Sequence, residues 1–158
     1  MTPRILEYLA ELVACDTQNP PRTISSRSRL IEFLDSVCAR DFRIEVSDYG
    51  DGRISWYARR GAPQVLFNVH LDTVPAGSQW KSDPLQLRIV EDRAIGLGAC
   101  DIKGAAACLL ALAKESDVDL GLLFTTDEEG SNSCCVQRFI DSATEHPRLV
   151  VVAEPRAR

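Results

Sequence analysis

Apolar positions recur at helical spacing over residues 3–14, where Ile5, Leu6, Leu9, Leu12 and Val13 share one stripe. Asn19-Pro20-Pro21 interrupts the period and forces an extended turn. A second stripe, Leu30, Ile31, Phe33, Leu34 and Val37, predicts a helix capped by Ser25 or Ser26 that runs to about Arg40, with Arg27 and Arg29 on its solvated side. The period then falls to two. Phe42, Ile44 and Val46 alternate with polar residues, Asp51-Gly52 supplies a hairpin turn, and residues 54–58 form the return strand. A continuous apolar run over 65–69 predicts a buried strand ending at His70.

The second half alternates strands with helices. Residues 85–90 and 93–95 predict a short hairpin around Glu91-Asp92, after a loop in which Trp80 is a covering aromatic. An Ala- and Leu-rich helix is expected over 102–114, its Gly104 and small residues allowing close packing on a sheet. A strand over 120–126 ends at Asp127-Glu128-Glu129, a helix capped by Ser133 reaches about Ser142, and a last strand over 149–153 is closed by Glu154-Pro155. This order predicts an α/β fold, three layers α/β/α around a mixed, mostly parallel sheet.

Composition narrows the function. A chain of 158 residues has room for one domain with a real core. The net charge of −5 gives no reason to expect nucleic-acid binding. No apolar run is long enough to span a membrane, and the N-terminus lacks a signal peptide's apolar region, so a cytoplasmic protein is expected. The six cysteines form no C-x-x-C pair, which predicts reduced thiols. Cys38 and Cys108 are expected as small core residues on helices.

The acids carry the chemistry. Alternation puts His70 and Asp72 on the same side of the chain, so the carboxylate can hold the imidazole's second nitrogen and fix its tautomer. Asp101 follows the Gly-rich turn Gly96-Leu97-Gly98, Glu128-Glu129 follow one strand, and Glu154 follows another. One histidine and several carboxylates at the ends of different strands is how an open α/β sheet builds a site. Carboxylate oxygens with an imidazole suit zinc, cobalt or manganese. Cys100, beside Asp101, is not needed as a ligand. Lys103 is taken as a charged residue at a helix start, and His146 as a surface residue.

His70-Leu71-Asp72-Thr73-Val74-Pro75, the G-x-x-D-x-K-G run from Gly98 to Gly104, Asp127-Glu128-Glu129 and Ala153-Glu154-Pro155 occur in that order. Together they resemble the M20 family of metallopeptidases and amidohydrolases. Gly96-Leu97-Gly98 departs mildly from the family's frequent G-R-G. The resemblance implies a metal-dependent amidohydrolase with two divalent cations, zinc or cobalt. It is most similar to the N-acyl amino-acid deacetylases of arginine biosynthesis. It implies that Asp101 bridges the metals, His70 and Glu154 serve one, Glu129 serves the other, Asp72 orients His70, and Glu128 is the general base. A desuccinylase or peptidase is the alternative within the family.

The resemblance further implies a lid, or dimerisation, domain and a late histidine ligand, neither of which these residues supply. Residues 1–158 are therefore expected to be a partial catalytic domain. Such a domain would hold one metal well, turn over little alone, and expose a sheet edge that favours self-association. The competing expectations are pairing with a second chain that carries the missing C-terminal half, and an inactive metal-binding or interaction fragment.

Overall fold

The computed structural model describes residues 2–130, 133–144 and 147–154. His146 lies outside them. Eleven helices and strands follow one another: α1 (Pro3–Ala14), α2 (Arg29–Cys38), β1 (Arg43–Asp48), β2 (Ile54–Arg60), β3 (Val65–His70), β4 (Arg88–Val90), β5 (Arg93–Ile95), α3 (Gly104–Glu115), β6 (Leu120–Thr125), α4 (Cys135–Ser142) and β7 (Leu149–Val152). A five-stranded sheet has the order β1-β2-β6-β3-β7, and β4-β5 form a separate hairpin. The pairs β1-β2 and β2-β6 are antiparallel, whereas β6-β3 and β3-β7 are parallel. The mixed α/β sheet is thus as expected, with its parallel half gathered around β3.

Local sequence accounts for most boundaries. Pro3 starts α1 because its missing N–H would have no partner in a first turn. The β1-β2 turn uses Gly50, Asp51 and Gly52 at φ of 81°, 52° and 73°, the left-handed region that Gly and Asp tolerate. Strand β6 is buried on both faces, which is why its sequence is a continuous apolar run rather than an alternation.

Four boundaries differ from expectation. Helix α2 begins at Arg29, because Ser25 Oγ accepts from Arg27 N in a turn of its own and caps nothing further on. Strand β4 begins only at Arg88, since Asp83 takes the amides of Leu85 and Gln86 into a turn. Helix α3 begins at Gly104, because Asp101 (φ −120°, ψ 91°) and Ile102 (φ −140°, ψ 21°) have non-helical dihedrals inside the preceding wide turn Ala99–Lys103. The α4 cap is Asp127 rather than Ser133. Asp127 Oδ2 accepts from Cys134 N at 2.6 Å and Cys135 N at 2.9 Å, while Ser133 Oγ donates to the Asp127 carbonyl.

The core lies on one face of the sheet. Leu9, Leu12 and Val13 of α1, Leu30, Ile31 and Leu34 of α2, and Ala106, Ala107 and Leu110 of α3 meet Trp56, Val69, Leu122 and Phe124 there. Trp56 stacks on Phe124 at 5.4 Å and donates its indole N–H to Asp35 of α2 at 2.8 Å, tying helix to sheet. Cys38 joins this core, but Cys108 does not: it lies on the solvent side of α3, opposite Ala106, Ala107 and Leu110. Alternation turns Tyr57 and Leu123 to the opposite face, where α4 packs through Phe139 against Tyr57.

Helix α3, which follows β3, and helix α4, which follows β6, therefore lie on opposite faces. The strands β3 and β6 stay paired to His70 and Thr125, and it is the chain leaving them toward opposite faces that frames a crevice at their C-terminal ends.

Candidate metal centre

The crevice collects the predicted acids. His70 closes β3 and is buried, at 5% side-chain exposure. Its Nε2 faces Asp101 Oδ1 at 3.3 Å and Glu154 Oε2 at 3.5 Å, the latter from just past β7. These three residues can each offer one ligand atom within 4.8 Å of the others, and so can His70, Glu128 and Glu129. Among the described residues Nε2 has no hydrogen-bond partner. A buried imidazole nitrogen without a proton partner, ringed by four carboxylates, fits a divalent cation.

The other side of the ring is fixed. His70 Nδ1 lies 3.1 Å from the Asp72 carbonyl oxygen and 3.5 Å from Asp72 Oδ1. The backbone oxygen is thus the closer acceptor. Burial alone would lower the His70 pKa, but hydrogen bonding and charge from Asp72, with Glu128 adding, push it up to about 9. Asp72 has no exposed side-chain surface. Burial pushes its pKa up, yet His70, Asn19 and the amides of Glu129 and Glu128 outweigh this and hold it below the usual carboxylate range. Glu129 is shifted the other way, raised by burial first and then by Asp101, Glu128 and Asp72, against the pull of His70. A crowded carboxylate such as Glu129 that resists ionisation is what a bound cation would relieve.

All six predicted residues converge, and Asp72 contacts more than the imidazole. Its Oδ2 accepts from Glu129 N at 2.8 Å and its Oδ1 from Glu128 N at 3.2 Å. It therefore fixes the backbone of the two glutamates after β6. A cavity of ≈ 500 Å³ adjoins the cluster, with His70, Glu128, Gln137, Val152 and Glu154 in its wall.

Three residues had no role in the sequence reading. Lys103 stands at the start of α3, as expected, but is fully buried, and its Nζ donates to the Cys15 carbonyl at 3.0 Å. Burial pushes its pKa down to about 8 against the opposing pull of Cys15, Asp16 and Asp72. Asp127 caps α4 as described. Asn19, visible in sequence only as the residue before two prolines, is 1% exposed and donates Nδ2 to Asp72 Oδ2 at 2.8 Å. No local pattern marks the burial of Lys103 or the reach of Asn19, since both depend on contacts with segments distant in sequence.

Comparison with known proteins agrees with this geometry. Residues 66–157 match the model of peptidase family M20/M25/M40. The chain is 48% identical over 150 residues to N-acetyl-L-citrulline deacetylase of Xanthomonas campestris pv. campestris, covering 95% of this chain and 40% of that protein. It is 31% identical to succinyl-diaminopimelate desuccinylase of Anaplasma marginale, covering 92% of this chain and 42% of that one. The chain thus spans about two fifths of the length of these relatives. The crystal structure of human carnosine dipeptidase 1 shares the fold, with a TM-score of 0.77 at 23% identity over 96% of this chain and 38% of that one.

Proposed function

This chain belongs to peptidase family M20/M25/M40, and from that premise we propose that it carries the N-terminal part of the catalytic domain of a hydrolase that cleaves the amide bond of N-acyl amino acids. The 48% identity to N-acetyl-L-citrulline deacetylase favours N-acetylcitrulline or N-acetylornithine as substrate, and with it a place in arginine biosynthesis in the cytoplasm. The observation that carries the proposal is the buried His70 Nε2, without a hydrogen-bond partner and facing Asp101 and Glu154.

His70, Asp101 and Glu154 would hold one zinc or cobalt ion, and Asp101 with Glu129 would contribute to a second. Such ions would supply Lewis acidity toward the scissile carbonyl and toward water. The remaining chemistry belongs to the chain. Glu128, exposed at the mouth of the cavity, accepts the proton of the attacking water and returns it to the leaving amine. Asp72, through its two backbone hydrogen bonds, keeps Glu128 turned to that water and Glu129 to the ions. The cavity beside them accepts the acyl group.

Glu128→Gln tests the assignment. Gln keeps the shape but cannot take a proton, so acetate release from N-acetylcitrulline and N-acetylornithine should fall on the order of 10²–10⁴-fold. That assay uses this chain and a form extended to its relatives' length. Zinc affinity, measured calorimetrically, should stay within about twofold of the parent's. Undiminished turnover, or loss of zinc, would overturn the role. Preferential cleavage of N-succinyl substrates would move the proposal to the desuccinylase reading that the 31% relative represents. Zinc binding without turnover in either form would leave a metal-binding fragment.

A further inference from the structure

The strap between α1 and α2 has a place in the metal centre that its sequence does not announce. Its backbone runs alongside the loop after β3: Thr73 N donates to the Thr17 carbonyl at 3.0 Å, and Asn19 N to the Thr73 carbonyl at 2.8 Å. This pairing sets the Asn19 side chain against Asp72, both of them buried. Asn19 Nδ2 donates to Asp72 Oδ2 at 2.8 Å, and Arg22 Nε donates to Asn19 Oδ1 at 2.8 Å.

The chemistry of these partners leaves little freedom. A guanidinium can only donate, and an ionised carboxylate can only accept. The carboxamide between them offers one of each, so the arginine fixes which end of the amide faces Asp72. On the far side stands Gly130, directly after Glu128-Glu129. A Cβ there would come within 2.6 Å of Asn19 Oδ1 and 2.9 Å of Nδ2. The absence of that carbon lets the loop after β6 lie directly on the asparagine amide.

We propose that Asn19 is a positioning residue of the metal centre: through the Asp72 carboxylate and through contact with Gly130, it sets the height of the Glu128–Glu129 backbone over His70. The inference rests on the metal-centre reading above. Asp72 Oδ2 carries two bonds, one from Asn19 and one from the Glu129 amide. With the Asn19 donor gone, a buried carboxylate loses a partner and turns to recover it, and its grip on the two glutamate amides changes. The metal ligands themselves remain in the chain, but their spacing does not.

The test is a metal titration of the whole chain by calorimetry with zinc and by visible absorption with cobalt. The variants are Asn19→Ala, Asn19→Asp, Asp72→Ala and the Asn19→Ala/Asp72→Ala double, with His70→Ala as the control. Asn19→Ala should weaken zinc on the order of 10–100-fold and change the cobalt spectrum. The double variant should fall within about twofold of Asp72→Ala alone, because Asn19 acts through that carboxylate. Asn19→Asp keeps the size but sets a second carboxylate against Asp72, and should bind at least as weakly as Asn19→Ala.

Parent affinity and an unchanged spectrum in both Asn19 variants would overturn the proposal, as would losses that multiply in the double. If far-UV circular dichroism shows Asn19→Ala unfolded, the isosteric Asn19→Asp carries the comparison. Loss of fold in both would assign Asn19 to strap stability and overturn the proposal. Parent affinity in His70→Ala would sink the metal-centre reading itself, a result distinct from any of these.

Discussion

The two faces of the sheet are built to different standards. On the face covered by α1, α2 and α3, Leu12, Leu34 and Leu122 have no exposed surface and Phe124 has 1%. On the α4 face, Ile140 remains 49% exposed and Val152 61%, and a cavity of ≈ 280 Å³ lies between α4 and the sheet beside Leu66, Leu123 and Val150. The metal centre straddles this difference. His70 and Asp72 are at 5% and 0% exposure, whereas Asp101 and Glu154 are at 50% and 46%. A rigid half therefore fixes the imidazole and its carboxylate, and an accessible half presents oxygens that an ion can reach.

The contrast is easiest to break by truncation. Phe124→Ala should cost about 3–5 kcal/mol in urea denaturation, because it removes the ring stacked on Trp56 and leaves a void in close-packed surroundings. Ile140→Ala should cost about 0.5 kcal/mol, since half its surface already meets water. Equal costs would mean that the two faces are packed alike after all.

The same contrast should divide the metal centre. Asp72→Ala strands the Asn19 amide and the Glu128 and Glu129 N–H groups, so it should cost about 3 kcal/mol of stability. It should also weaken zinc on the order of 10–100-fold. Asp101→Ala should weaken zinc at least as much, because Asp101 is proposed as a direct ligand, yet cost no more than about 0.5 kcal/mol of stability. Denaturation without metal, paired with calorimetry, separates the two effects. A stability loss at Asp101 equal to that at Asp72 would erase the distinction between the rigid and the accessible half.

What could be read from the chain follows the same division. Helix α1, the β1-β2 turn and strand β3 were legible because propensity, period and turn chemistry agree there within a few residues. The five acids and the histidine that converge in the crevice were legible because His70, Asp72, Glu128, Glu129 and Glu154 follow apolar runs and Asp101 follows a Gly-rich turn. The start of α3 was not, because Asp101 and Ile102 take non-helical dihedrals directly before an Ala-rich helix whose local propensity runs the other way. Asp127 looks like one more acid of a triplet, and only its position over the α4 amides makes it a cap. Lys103 and Asn19 were the least legible, since a lysine at a helix start and an asparagine before proline have ordinary local explanations. Their roles exist only once α1 and its strap are folded against the wide turn and the loop after β3.

The smallest expected effect concerns the open margin of the sheet. Strand β7 pairs with β3 on one side, and among the described residues no strand pairs with its other side. Leu149 is 55% exposed there. An unpaired edge with apolar side chains offers backbone donors and acceptors to a second chain, and a charged residue on such an edge discourages that pairing. Leu149→Lys should therefore change folding stability by no more than about 0.5 kcal/mol. The same substitution should shift the chain toward monomer when light scattering is followed across a concentration series. If Leu149→Lys and the parent chain associate identically, self-association through β7 is excluded. The exposed apolar residues of α4, Val136 and Ile140, would then be the next surface to charge.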